Sequence, residues 1–490
     1  MRNLKKTLIF SIFIAGSLVA GAQQQYFDVK ETDCTCCGIL DAVDHQFNAV
    51  RNDIELPVKY KGNDIKWEMN SVFGGDNKYT SFDGRKLSVH SLPKGEYLKV
   101  GTLTAETGNE KVTFDVTLAP DDEKYGYLYC HMDNSSENTL YALGMEKDGN
   151  IDFHTLLNNQ PIYNSEDIAA IEGGVRDAFI FRGQNGEYLM MTTDMSNRKS
   201  RTWFNHGMNL LKSYDLIHWT STTIDFRKGK ESFSNPDGKD WFKDYSLINR
   251  VWAPQAIWDA DYDNGKGGYF VYYSLLSTNP GDDHDRIFYS YADKHFNSLT
   301  KPQLFYDRGI ATIDCHIDWN DCDKKYHIFY KKEGAAGVDR GIYVAVFDKL
   351  GQDQWKDILH ITNEGSNQVE GPSAFRMINQ NKWKVGYIRY SGGKAYKLCN
   401  AKADLSDIDR GEEIGSGDVH PQHGSFMTLT KDEYELLQLW SDLKLKVAEL
   451  EKTKPNSSKV KKAKAVLDVQ FKNNPITSLT TLYRKTLKSL

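Results

Sequence analysis

The sequence predicts a mainly β chain: a five-bladed β-propeller with a smaller β unit before it and a helical extension after it. Three observations carry this reading. Short phrases around Asp177, Trp252, Asp314, Glu370 and His423 recur at intervals of roughly fifty to seventy-five residues, long for one blade but compatible with insertions. The segment 44–120 alternates apolar and polar residues with period two. Helical periodicity is concentrated in the tail, 431–490.

In the repeated phrase a short polar or Gly/Pro-marked segment is followed by an apolar strand-like run, a polar turn and an aromatic-rich return strand. Asp177 leads 178–181, then Gln184-Asn185-Gly186 and 188–191; Asp314 and Glu370 lead similar sets, and Trp252-Ala253-Pro254 another. A further strand is expected over 125–131. A radial β array has to close, because an open blade edge invites pairing with other chains. In a closed array the first strand of each blade lines the axis. Asp177, Asp314 and Glu370 would then meet at one mouth, although nearly two hundred positions separate the first from the last.

A length of 490 residues implies two or three units. A charged fraction of 26% and an aromatic fraction of 12% describe an ordinary globular protein. The net charge of -6 argues against a nucleic-acid partner, which calls for a basic footprint. Aromatic richness without basicity suits stacking on sugar rings, although aromatic side chains fill cores as well.

Residues 1–22 read as a secretion signal: Arg2, Lys5 and Lys6 precede an apolar stretch at 8–19, and Ala20-Gly21-Ala22 supplies small residues for cleavage. The expected location is therefore secreted or periplasmic. The stretch is short for a membrane span, and no later one is expected. A leader at 23–43 holds Cys34, Cys36 and Cys37, without the spacing or histidines of a zinc site. Of the remaining cysteines, Cys315 and Cys322 could face each other across a hairpin, but buried free thiols are the main expectation.

The unit at 44–120 contains alternating strands such as 112–118, separated by turn clusters such as Gly74-Gly75-Asp76-Asn77. Its closing phrase resembles bacterial immunoglobulin-like domains, which implies a β-sandwich spacer. In the tail, Leu436, Trp440, Leu443, Val447 and Leu450 form one apolar helical stripe. Packing against the propeller is expected, with a dimer contact as the second reading.

Taken in order, Val175-Arg176-Asp177, Trp252-Ala253-Pro254, Ile313-Asp314, Glu370-Gly371-Pro372 and His423-Gly424-Ser425 resemble glycoside hydrolase family 43 over 121–430. Asp148-Gly149 and the stretch from Ser213 to Trp219 support the match. That family consists of five-bladed propellers acting on arabinose-, xylose- or galactose-containing polysaccharides. Two residues depart from its pattern: Ala178 stands in place of the usual proline, and Gln255 in place of an acidic residue.

The resemblance implies that Asp177 is the general base, Glu370 the general acid and Asp314 the residue that orients and tunes the acid. Inverting hydrolysis needs one carboxylate to activate water and one carboxylic acid to protonate the leaving oxygen, roughly 6.5–9.5 Å apart. A third carboxylate raises the acid's pKa by like-charge repulsion. Arg176, Trp203, Trp252 and Arg389 are candidate substrate-binding residues; core packing is the alternative for the tryptophans and a surface ion pair for Arg389.

No cofactor is expected to be required. His423 matches the family's axial histidine, which implies a hydrated calcium ion, with a buried metal-free histidine as the alternative. The expected partner is a polysaccharide or oligosaccharide, and α-L-arabinofuranosyl bonds lead on family frequency. β-Xylosidase, β-galactosidase and a non-catalytic sugar-binding propeller are the other readings. A retaining fructan-cleaving relative would need an Asn-Asp-Pro phrase near the propeller's start, and none is present.

Overall fold

Strands in the central region are apolar on both faces rather than alternating. Tyr188–Asp194 is buried at every position, and Gly268–Ser277 at all but one. Such strands need cover on both sides. The structure, a computed structural model, describes residues 25–26, 47 and 50–490, apart from 52, 95, 121–124, 134, 321, 335–339, 353, 362–367, 379, 381, 391–394, 406, 410 and 415–418. The expected signal at 1–22 and the cysteines at 34, 36 and 37 lie outside the described residues.

Cover comes from radial stacking. Among the described residues, five four-stranded antiparallel sheets follow one another along the chain. Their innermost strands are Gly424–Leu429, Val175–Arg182, Ile248–Asp259, Thr312–Asn320 and Val369–Arg376. We number these blades first to fifth in that order. The first blade is completed from both ends of the region: Gly424–Leu429 pairs with Gly126–Asp133, which carries Asn138–Lys147 and Asn150–Thr155 outside it. Gly424–Leu429 also touches Val175–Arg182 and Val369–Arg376, so the propeller closes on itself.

Each neighbouring pair of blades encloses its own apolar cluster. Tyr127 and Tyr129 of the first blade meet Phe375 and Tyr396 of the fifth, and Leu189 and Met191 of the second meet Tyr269 and Val271 of the third. Phe270 and Tyr272 of the third face Ile328 and Tyr330 of the fourth, while Phe329 and Val344 of the fourth face Trp383 and Val385 of the fifth. Many of the aromatic rings are spent here; Tyr306 and Trp355, for example, stack at 3.7 Å. Aromatic richness alone therefore does not mark a sugar site in this chain. Cys130, Cys315 and Cys399 are buried free thiols and Cys322 is an exposed one, so the bridge across the 315–322 hairpin does not form.

Before the propeller, three small sheets of four, three and two strands surround a core that includes Phe47, Trp67, Leu103 and Phe114. After it come the helices Lys431–Thr453, Ser458–Leu467 and Pro475–Ser489. Thr430 and Glu433 form a reciprocal capping box at the start of the first helix. Its buried stripe, Leu436, Leu437, Trp440, Leu443 and Val447, packs in one cluster with Leu128 and Tyr141 of the first blade and Met190 and Leu211 of the second. Among the described residues no helix is long and apolar enough to cross a membrane.

Candidate active site

Four of the five inner strands share one irregularity. Strand pairing skips between Arg176 and Phe179, Trp252 and Gln255, Ile313 and His316, and Glu370 and Ser373. In each bulge one skipped residue is left-handed: Asp177 at φ 55°, Ala253 at 46°, Asp314 at 52° and Gly371 at 62°. Bulges of this kind re-aim side chains beside functional sites. For the three non-glycine residues the conformation costs on the order of 1–3 kcal/mol each.

The recurring sequence phrase is this bulge, which also corrects one detail of the sequence reading. Asp177 and Asp314 are the left-handed residues themselves. Glu370 precedes its left-handed neighbour and occupies the position that Arg176, Trp252 and Ile313 hold in the other blades. The three carboxylates are thus not equivalent, and the longer Glu370 side chain approaches the axis from a different offset.

Their contacts interlock. Asp177 Oδ2 accepts a hydrogen bond from Thr193 Oγ1 at 2.9 Å, and Asp177 Oδ1 pairs with His423 Nδ1 at 3.0 Å. Thr193 Oγ1 in turn accepts the Ala253 N–H at 2.8 Å, tying the second blade to the third. Asp314 Oδ2 accepts the Gly371 N–H at 3.0 Å, and the Asp314 N–H donates to Ser274 Oγ at 3.2 Å. A Cβ on Gly371 would stand 2.8 Å from His423 Cγ, so glycine is what lets this backbone close on the imidazole. Glu370 Oε1 accepts the Tyr390 hydroxyl. Gly371→Ala should therefore cost at least about 1–2 kcal/mol from the left-handed backbone alone. It should also displace His423, which a lowered denaturation midpoint together with lost activity would show.

Electrostatics separates the carboxylates. Burial by itself would raise Asp177, but the His423 hydrogen bond and charge, with Arg176 and Thr193, outweigh it and hold Asp177 at about 2. For Asp314 burial dominates; opposed by His423 and reinforced by Glu370 and Asp177, it lifts the group to about 7. Burial lowers His423, yet its bond to Asp177 and the charges of Asp314, Asp177 and Glu370 raise it to about 9. The Asp177–His423 pair is therefore ionic at neutral pH. Asp177's contribution to stability is present above its ordinary 3.8 and lost as pH falls through about 2; that of His423 is full below 6.5 and lost as pH rises through about 9.

Around this centre, buried Glu137 accepts Arg176 Nη1 at 2.7 Å, Ser196 Oγ at 2.7 Å and the N–H groups of Asn197 and Arg198. The Arg176 guanidinium lies 5.4 Å from the centre of the exposed Trp203 ring. Arg250 covers half-buried Trp252 at 4.6 Å. Arg389 pairs across the strands with Val369, and so shares the sheet face opposite to that of Glu370. Gln255 accepts from the Tyr272 hydroxyl and pairs with His316 Nδ1 at 3.0 Å. Its departure from the acidic residue thus serves a buried polar pair below the carboxylates. Sequence reasoning missed Thr193, Tyr390 and Glu137: Thr193 comes in by its register opposite Arg176, Tyr390 by its bond to Glu370 and Glu137 by its bond to Arg176, and none lies in a marked phrase.

Residues 122–435 match the family described as "Probable glycosyl hydrolase domain", which is related to glycoside hydrolase family 43. The chain belongs to this family. No curated relative matches it. Among solved structures this glycosyl hydrolase is similar to an α-L-arabinofuranosidase from Lactobacillus brevis, at 14% identity and a TM-score of 0.37, over 55% of this chain and 83% of that one. It is also similar to a xylan β-1,4-xylosidase from Bacillus halodurans C-125, at 16% identity and a TM-score of 0.36, over 51% of this chain and 46% of that one. A family 117 glycoside hydrolase from Zobellia galactanivorans, Zg3597, is similar at 17% identity and a TM-score of 0.36, over 61% and 78% of the two chains.

His423, the residue for which the resemblance implied a calcium ion, bonds Asp177 through Nδ1 in this glycosidase. Among the described residues no three His, Cys, Asp or Glu side chains are grouped to hold a metal ion.

Proposed function

We propose that this protein is an inverting glycosidase that releases terminal sugars, foremost α-L-arabinofuranosyl units, from plant-type polysaccharides. The observation that supports the reading is a chain of contacts across the blades: Asp177 bonds His423, Gly371 closes on the same imidazole, and Asp314 holds the amide of Gly371, the residue after Glu370. Asp177, ionised across the working pH range and fixed by Thr193 and His423, aligns and deprotonates the attacking water. Glu370 protonates the leaving oxygen; with Tyr390 donating to Oε1, Oε2 is the oxygen available to carry that proton. Asp314 neither attacks nor donates to substrate in this scheme. It holds the amide of Gly371, the residue after the acid, and itself changes charge near neutral pH. The signal-like residues 1–22 support export from the cytoplasm, where such polymers would be met.

Incubation with arabinan, arabinoxylan, xylan and galactan, followed by identification of the released sugars, tests the proposal. Release of monomeric arabinose supports the leading assignment. Xylose or galactose moves the specificity within the family, and binding without any release favours the sugar-binding alternative. Asp314→Asn is expected to remove an ionisation near pH 7 from the pH–rate profile; an unchanged profile would contradict the role given to Asp314.

A further inference from the structure

Large apolar side chains left exposed on the propeller are not scattered evenly. Among the described residues they are Tyr125, Trp203, Phe204, Trp241, Ile358 and Tyr390. Four of these six, Trp203, Phe204, Trp241 and Tyr390, lie on segments leaving strand ends at the carboxylate face. The connection 195–206 follows Asp194, which pairs with Val175; Tyr390 follows Arg389, which pairs with Val369; and the excursion holding Trp241 follows Asp225, in register with Gly207 and Asp194.

Trp203 is the most exposed of them, at 54%. The loop that presents it is not loose. Ser196 Oγ donates to buried Glu137 at 2.7 Å, and the Asn197 side chain donates to Thr202 O at 2.9 Å. On the far side, buried Asn205 donates to the carbonyls of Asp194, Gly207 and Val251. A rigid loop that holds an indole in water gains nothing for the core, whereas an aromatic face fixed in advance stacks on a ring at little entropic cost. The guanidinium over Trp203 belongs to Arg176, the residue next to Asp177.

Trp203 stands on the second blade and Glu370 on the fifth, which are not neighbours in the ring: the first blade separates them on one side, the third and fourth on the other. On the second blade itself, the Asp177 carboxylate turns inward to Thr193 and His423, whereas the exposed Trp203 ring lies over Arg176, whose guanidinium turns the other way to Glu137. We infer that Trp203, backed by Arg176, is the platform of a separate subsite that stacks a ring of the polymer other than the sugar being released. The inference rests on the hydrolase reading and adds to it that a chain lying across the mouth, rather than a lone terminal sugar, is the preferred substrate.

The test compares Trp203→Ala with wild type on an arabinoxylan-derived oligosaccharide and on the 4-nitrophenyl glycoside of the same terminal sugar, with Trp203→Phe as the conservative control. The expected result is that KM for the oligosaccharide rises about tenfold more than KM for the aryl glycoside, and that phenylalanine restores most of the difference. Equal losses on both substrates, or no loss on either, overturn the subsite. Should wild type turn over neither substrate, the hydrolase reading falls and binding of the same oligosaccharide decides the inference alone. Binding about tenfold weaker in Trp203→Ala then carries it; equal binding, or none by wild type, overturns it.

Discussion

Asp177→Asn and Glu370→Gln should each give a folded protein whose turnover of polysaccharide drops by about 10²–10⁴-fold. The two losses are expected to part company on an aryl glycoside with a good leaving group. A nitrophenolate departs without protonation, so removal of the acid costs little there, while removal of the base costs as much as before. Asp177→Asn should therefore stay nearly inactive on both substrates and Glu370→Gln should recover most of its rate on the aryl glycoside. Equal loss for both variants on both substrates would contradict the division of roles. The amides are close in shape to the carboxylates they replace, but Asp177→Asn leaves His423 facing a neutral partner, so a control for folding by denaturation accompanies the assay.

The second large effect concerns stability. Glu433 lies fully buried at the start of the first C-terminal helix, where it pairs with Arg182 through both carboxylate oxygens at 2.7 and 2.6 Å. It also receives the hydroxyls of Tyr188 and Tyr97 and the Thr430 N–H. One side chain therefore joins the helix, the second blade and the β unit before the propeller. Burial opposes its charge, but Arg182, Tyr188 and the Thr430 amide hold the group at about 2. Glu433→Ala takes the carboxylate away from the Arg182 guanidinium in a nearly dry site, leaving it the Thr428 carbonyl, and should destabilise the docked helix by about 3–5 kcal/mol. Urea titration and limited proteolysis of the tail would read this, and a midpoint within error of wild type would refute it. The sign with pH is fixed as well. A depressed carboxylate stabilises above its ordinary 4.5 and loses that contribution as pH falls towards about 2, so the acid-unfolding slope in this window should be shallower in Glu433→Gln.

How much of this could be read from the chain depends on where each property resides. Asp177, Asp314 and Glu370 were legible because a bulge beside the axis imposes a local phrase, and local phrases repeat along a sequence. The one-residue offset of Glu370 was not, since it appears only when pairing across the strands shows which residue is skipped. Thr193 belongs to a return strand and Tyr390 directly follows one; both have ordinary sequences and become functional candidates only through the pairing of those strands. His423 was marked by its phrase, but the carboxylates that raise its pKa lie more than fifty residues away in sequence and leave no local sign. The tail's apolar stripe announced a packed helix. Thr430 and Glu433 carry the spacing of a capping box, yet the burial of Glu433 against Arg182 had no local mark. Trp203 and Trp252 read alike in the sequence, and only exposure on a pinned loop separates Trp203 from Trp252 beneath Arg250.

Hydrolysis by this site requires water to attack from Asp177's side while Glu370 protonates the departing oxygen. Proton NMR of the sugar first released from an aryl glycoside, recorded before mutarotation, reads this directly. Inverted anomeric configuration is the predicted result; retention would mean a covalent intermediate that this arrangement of carboxylates was not assigned to form.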